Sequence, residues 1–254
     1  MKKFLIVLLF LFGCKDDGHN SIDKISSSFK EIEYSLNPLG ENFGIDNDPL
    51  YRFDKFDCLT YVETVLALHF AKNKDEFETI INNIRYSNGK VSFETRNHFT
   101  NPDWIRNNRK YVSDITNNIA IKLNIVPSIS FITLDRSNWF KKNYNLKVDY
   151  DLENVSLNYI DIDTLLLKKD ELLSIIKKPM VINIVINNPK LIKKIGTQLD
   201  TSHIGFILPK DNELIIRHAS SFQKKVVDNN FFEYLKRLKK YPQYVGVNFL
   251  EIKS

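Results

Sequence analysis

Asp57-Cys58-Leu59-Thr60-Tyr61-Val62-Glu63-Thr64-Val65-Leu66-Ala67-Leu68-His69-Phe70 is the stretch that decides how this chain folds. Leu59, Val62, Val65, Leu66 and His69 recur at three- and four-residue steps, the period of a helix that buries a face. Asp57 stands before them as an N-cap, so the spacing predicts a helix over Cys58–Phe70. Cys58 then falls in the first turn. There, unpaired backbone N–H groups and the positive end of the helix dipole favour a thiolate. A thiolate is the nucleophile of cysteine catalysis, provided a histidine nearby acts as base and later as acid. The competing reading is a buried, inert cysteine.

The second cysteine sharpens the case. Met1 to Gly13 carries Lys2 and Lys3, an apolar core from Phe4 to Phe12 and a small residue before Cys14. That is the pattern of an export signal, too short to span a bilayer as a mature helix. Leu11-Phe12-Gly13-Cys14 resembles a lipobox, which implies that Cys14 is diacylated and becomes the new N-terminus. Cys58 is then left without a partner in a disulfide-permissive compartment, as a candidate reactive thiol. The polar run Lys15 to Ser21 reads as a tether, and residues 22–254 as one domain. Lys15-Asp16-Asp17 also resembles an export tag of surface-displayed lipoproteins, with a charged linker as the plainer alternative. The expected location is the cell envelope: an outer-membrane lipoprotein facing either the periplasm or the surface.

Losing thirteen of 254 residues leaves 241, enough for a substantial core. Hydrophobic content of 43% with 26% charged residues fits an ordinary globular protein. Lys2 and Lys3 leave with the signal, so the formal charge of +5 falls to a mild +3. The Lys236 to Lys240 cluster reads as one solvated helix face, and no nucleic-acid partner is indicated. With eight glycines and no G-x-G-x-x-G or Walker pattern, no phosphate loop and no cofactor are implied.

Helix-spaced apolar residues also run from Ile22 to Tyr34, followed by a Pro/Gly/Asn loop over Asn37–Pro49, and Asp75–Ile84 reads as a further helix. Pro179 to Ile186 has the β-branched composition of a buried strand. His203–Leu208 and Leu214–His218 flank a polar turn and predict a hairpin. Phe231–Leu238 reads as a helix and Tyr244–Ile252 as a closing strand. Helices first and an antiparallel sheet afterwards give an α+β fold.

The hairpin carries two histidines. His203 and His218 are equidistant from a turn centred between Lys210 and Asp211, which would set them opposite each other with Cβ atoms about 4.5–5.5 Å apart. Any even-length loop keeps both on one sheet face. One imidazole can then serve Cys58 while the other orients it. Two ordinary strand histidines, or a zinc site completed by Cys58, are the alternatives. A further loop, Arg96-Asn97-His98-Phe99-Thr100-Asn101-Pro102-Asp103-Trp104, packs a cation, an imidazole, an acid and aromatic rings together. Such a mixture suits a polar sugar–peptide ligand, or equally a hydrogen-bonded structural loop.

Asp57-Cys58-Leu59-Thr60-Tyr61-Val62-Glu63, Ser202-His203-Ile204-Gly205-Phe206 and Arg217-His218-Ala219-Ser220-Ser221 resemble the motif series of the NlpC-type, papain-like cell-wall hydrolases. The Thr-Tyr-Val-Glu continuation and the loop with His98, Asp103 and Trp104 are closer to the N-acetylmuramoyl-L-alanine amidase-like branch. The general members carry Asp-Cys-Ser-Gly, which this chain lacks. The resemblance implies a papain-like fold, with the nucleophile at a helix start packed on an antiparallel sheet. It implies hydrolysis of peptidoglycan amide bonds in muropeptides, with Cys58 attacking, His203 as base and His218 as orienting member. Tyr51 is similar to a tyrosine the family places beside the nucleophile. Arg96, His98, Asp103 and Trp104 would be substrate contacts. The branch implies cleavage between the lactyl group of N-acetylmuramic acid and L-alanine. The broader superfamily implies cleavage between γ-D-glutamate and the diamino acid, and a silent surface binding lipoprotein is the non-enzymatic alternative.

Overall fold

Three consecutive serines end the first helix early. The computed structural model describes residues 21–253; the signal, Cys14 and the tether up to Asn20 lie outside them. α1 runs Ile22–Ser28, capped by the Ser21 side chain. The hydroxyls of Ser26, Ser27 and Ser28 bond back to the carbonyls of Asp23, Lys24 and Ile25. Such local bonds compete with helix continuation. The chain then turns through Glu31 at positive φ. Residues Glu33–Tyr34, expected to be helical, form strand β1 instead, parallel to β2 (Lys55–Phe56).

α2 spans Cys58–Phe70, as its periodicity predicts, and opens with a reciprocal cap. Asp57 Oδ1 accepts from Thr60 N–H at 2.8 Å, and Thr60 Oγ1 accepts from Asp57 N–H at 3.0 Å. Such a cap is worth about 1 kcal/mol. Tyr61, Val62, Val65, Leu66, Ala67 and Leu68 are all buried, so this helix runs through the core rather than along its surface. α3 (Lys74–Arg85), capped by Asn73, packs against it.

Ten strands form one sheet in the order β2-β1-β9-β8-β7-β6-β10-β5-β4, with β3 (Val112–Asp114) also paired to β10. The other strands are β4 (Ser128–Leu134), β5 (Glu153–Asp161), β6 (Met180–Ile186), β7 (Thr201–Lys210), β8 (Glu213–Ser220), β9 (Lys225–Asn230) and β10 (Tyr244–Ile252). All pairs apart from β1–β2 are antiparallel.

Helices cover both faces. Val181, Ile204, Phe206 and Leu208 join the core built on α1, α2 and α3. Ile182, Ile184, Ile207 and Ile216 join a second core with α4 (Thr116–Lys122), α6 (Ile162–Leu167), α7 (Lys169–Ile175) and α9 (Phe231–Leu238), while α5 (Arg136–Tyr144) and α8 (Leu191–Ile195) pack on each other. Because β6 is covered on both faces, its sequence is apolar at every position except Asn183 rather than alternating. The architecture is mixed α+β, built on one large sheet. Among the described residues, no helix is long and apolar enough to cross a membrane.

Candidate active site

The hairpin turn sits one residue later than symmetry about the histidines requires. Asp211 and Asn212 both adopt positive φ, the backbone of a two-residue hairpin loop. Lys210 pairs with Glu213, and Phe206 with Arg217. Extending that register sets His218 opposite Gly205, with His203 on the diagonal rather than directly across. The loop is still even in length, so both rings stay on one face. They meet: His203 Nε2 lies 2.6 Å from His218 Nδ1, with the rings nearly perpendicular. Gly205 makes room for this. A Cβ there would come within 2.9 Å of His218 Cβ and 3.1 Å of the Arg217 carbonyl.

Cys58 is the first residue of α2, and α2 packs against β7 and β8. No hydrogen bond among the described residues joins its sulfur to either ring. Its surroundings are shared with them instead. The backbone N–H of Ile204, next to His203, acts on the thiol together with those of Leu59 and Cys58. Tyr234 of α9 packs its ring against both imidazoles, and burial, followed by Tyr244 and Cys58, raises its hydroxyl pKa.

Electrostatics set the protonation states. Burial, then the Asp57 carboxylate, pushes the Cys58 thiol up to about 12, outweighing those backbone donors. The helix start therefore does not yield the lowered thiol that the sequence predicts: the cap that forms the first turn also places an acid beside the sulfur. Burial lowers His203 well below the usual histidine value, with His218 adding to it, and lowers His218 to about 4. At neutral pH, thiol and both rings are uncharged.

Tyr51, expected beside the nucleophile, has its hydroxyl engaged by another group. Its hydroxyl donates to Glu78 at 2.7 Å and its ring packs on Phe53 and Phe77. Tyr34 of β1, like Tyr234, feels the thiol: burial, then the charges of Cys58 and Asp57, raise its hydroxyl to about 12. No local pattern marked it, because its position depends on a two-residue strand pairing with β2.

The 96–104 loop is committed to structure. Arg96 makes a bidentate pair with Glu41 at 2.7 and 2.6 Å and reaches Asp46 at 2.9 Å, clamping the 37–49 loop. Asp103 accepts from Phe99 N–H and both terminal nitrogens of Arg136. Trp104 has no exposed surface and fills the core around α2, so it cannot touch a ligand. His98 bonds through Nε2 to the Phe93 carbonyl at 2.7 Å and packs on Phe93, Trp139 and Phe140.

His98 makes stability pH-dependent. Burial lowers it to about 4, so between its unfolded value near 6.5 and pH 4 the unfolded chain binds the extra proton. Its contribution is therefore complete above pH 6.5 and is lost as pH falls towards 4. Urea unfolding midpoints should decline over that window, and less steeply in His98→Gln; equal slopes would refute this assignment.

Among the described residues, no group of three or more His, Cys, Asp or Glu is placed to hold a metal ion. Residues 24–241 match the model of the N-acetylmuramoyl-L-alanine amidase-like family. The structure resembles that of a protein from Legionella pneumophila str. Philadelphia 1, with a TM-score of 0.91 and 30% identity, covering 100% of this chain and 95% of that one. It also resembles an N-acetylmuramoyl-L-alanine amidase from Bacteroides uniformis, with a TM-score of 0.72 and 22% identity over 94% of this chain and 100% of that one. No curated protein matches the sequence. With the family model covering most of its length, the chain belongs to the N-acetylmuramoyl-L-alanine amidase-like family.

Proposed function

We propose that this protein is a papain-like cysteine hydrolase that cuts the amide between the lactyl group of N-acetylmuramic acid and L-alanine in muropeptides. The observation that carries the reading is the 2.6 Å bond between His203 and His218, set against a thiol at a capped helix start. Between two neutral rings, one nitrogen donates and the other accepts. If His203 donates from Nε2, its Nδ1 lone pair is the base. It takes the Cys58 proton as sulfur attacks the amide carbonyl. Tyr34 and backbone N–H groups at the start of α2 are the donors available to the resulting oxyanion. His203 then hands its proton to the departing amine. Water, deprotonated by the same nitrogen, opens the thioester and restores the thiol. Cys14, outside the described residues, would tether the enzyme to the envelope through lipid.

A neutral resting thiol has a direct consequence. Iodoacetamide alkylation of Cys58 should accelerate through and beyond pH 8.5, the ordinary cysteine value, rather than reach a plateau below it. A plateau near pH 6 would mean a preformed thiolate and would overturn this account of the site.

Mass spectrometry of products from a defined disaccharide–tetrapeptide tests the function. Free disaccharide plus intact tetrapeptide is the expected result. A shortened peptide still on sugar would instead mark a γ-D-glutamyl–diamino acid endopeptidase. The absence of any product would favour a silent binding protein.

A further inference from the structure

The second histidine has a proton to place. For His203 to keep Nδ1 free, its Nε2 must donate to His218 Nδ1, which leaves the proton of His218 on Nε2. That atom is buried and has no hydrogen-bond partner among the described residues. Asn229 of β9 stands diagonally from His218 on the same sheet face, since His218 pairs with Val227 and Ile216 with Asn229, and its amide favours the protonated ring. The orientation of Asn229 is fixed by three bonds. Its Oδ1 accepts from Gln223 Nε2 at 3.0 Å and from Arg237 at 2.9 Å, and its Nδ2 donates to the Asp228 carbonyl at 2.7 Å. A flipped amide would set its NH2 against two donors. The amide oxygen is therefore the end held among donors, the polarity that an Nε2–H requires.

We propose that Asn229, clamped by Gln223 and Arg237, is a positioning residue that selects the Nε2–H tautomer of His218 and, through it, the base form of His203. This rests on the cysteine-hydrolase reading above. Arg237 does a second job. From α9, where it also lies over the Tyr234 ring, it opposes protonation of His218. The charged or titratable groups facing His218 are thus Arg237 and Tyr234 from α9, Asp228 from β9 and His203 from β7. Of these, Asp228 favours the imidazolium, but it is held by Arg217 at 2.6 Å. A protonated His218 would turn an N–H towards His203 Nε2, drive the His203 proton to Nδ1 and abolish the base.

The test uses the mature protein and two variants. ¹⁵N NMR of the imidazoles should show His218 protonated at Nε2 in the wild type and shifted towards Nδ1 in Asn229→Ala. In the muropeptide assay, Asn229→Ala should lower kcat about 10–100-fold with KM unchanged, the scale by which second-layer partners of metal-bound histidines act. Asn229→Asp keeps the acceptor and should recover most of kcat. Its carboxylate raises the His218 pKa, so the acidic limb of the kcat profile should move to higher pH. An unchanged tautomer and kcat in Asn229→Ala would overturn the proposal. So would an unmoved limb in Asn229→Asp, which decides the matter if the alanine variant does not fold. If the wild type hydrolyses nothing, the enzymatic reading falls, while the NMR comparison still judges Asn229.

Discussion

Cys58→Ala is expected to lower kcat on a disaccharide–tetrapeptide by at least about 10⁴-fold while leaving the urea midpoint nearly unchanged. The large first effect follows from covalent chemistry: a methyl cannot form the thioester, and only oriented binding of substrate remains. The small second effect follows from the position. α2 keeps its Asp57–Thr60 cap and its buried Tyr61, Val65 and Leu66, none of which depends on the sulfur. His203→Ala should be comparably damaging, and the double variant no worse than the single ones, because the groups act as a unit. Hydrolysis persisting in Cys58→Ala would eliminate cysteine catalysis whatever the geometry.

Arg217→Met should produce a large loss of stability. The guanidinium is almost wholly buried at 1% exposure. It donates to Asp23 Oδ1 at 2.7 Å, to the Asp23 carbonyl at 2.9 Å and to Ser26 Oγ at 2.8 Å. It also grips both carboxylate oxygens of Asp228, at 2.6 and 3.0 Å. Removing one partner of a buried pair costs about 3–5 kcal/mol. The lower end applies, since Asp23 is half-exposed and Asp228 retains Lys30 at 3.2 Å. About 3 kcal/mol corresponds to a melting temperature lower by roughly 6–12 °C for a chain of this size. A drop below about 1 kcal/mol in chemical denaturation would show the clamp to be energetically idle. Arg217→Lys should rescue little, because an ammonium cannot span a carboxylate on one side and α1 on the other.

What the sequence makes legible here is what is set locally. α2 is readable because its cap and its apolar spacing lie within one segment. β6, α9 and β10 are bounded by turn residues, and their ends match the pattern closely. The face shared by His203 and His218 is readable from parity alone, whereas their register is not. Two consecutive left-handed residues, Asp211 and Asn212, moved the pivot by one position. The edge pair β4–β5 carries no strong turn signal and escapes notice. The roles of Arg96, Asp103 and Trp104 depend on acids, cations and core space contributed by distant segments. The same polar mixture that suits a ligand also suits an internal clamp. Tyr34 is invisible for the same reason, since its nearness to Cys58 is created by pairing across a loop.

The Asp211-Asn212 bend acts as a ruler. His203 lies eight positions upstream, about 26 Å along the strand at ~3.3 Å per residue, yet the bend decides which side of the ribbon His218 looks out from. Lengthening it by one amino acid would send that imidazole to the opposite surface of the sheet and break its bond to His203. On the proposed mechanism the histidine pair is calibrated from afar, and drift in an outlying corner would silence hydrolysis as surely as loss of Cys58.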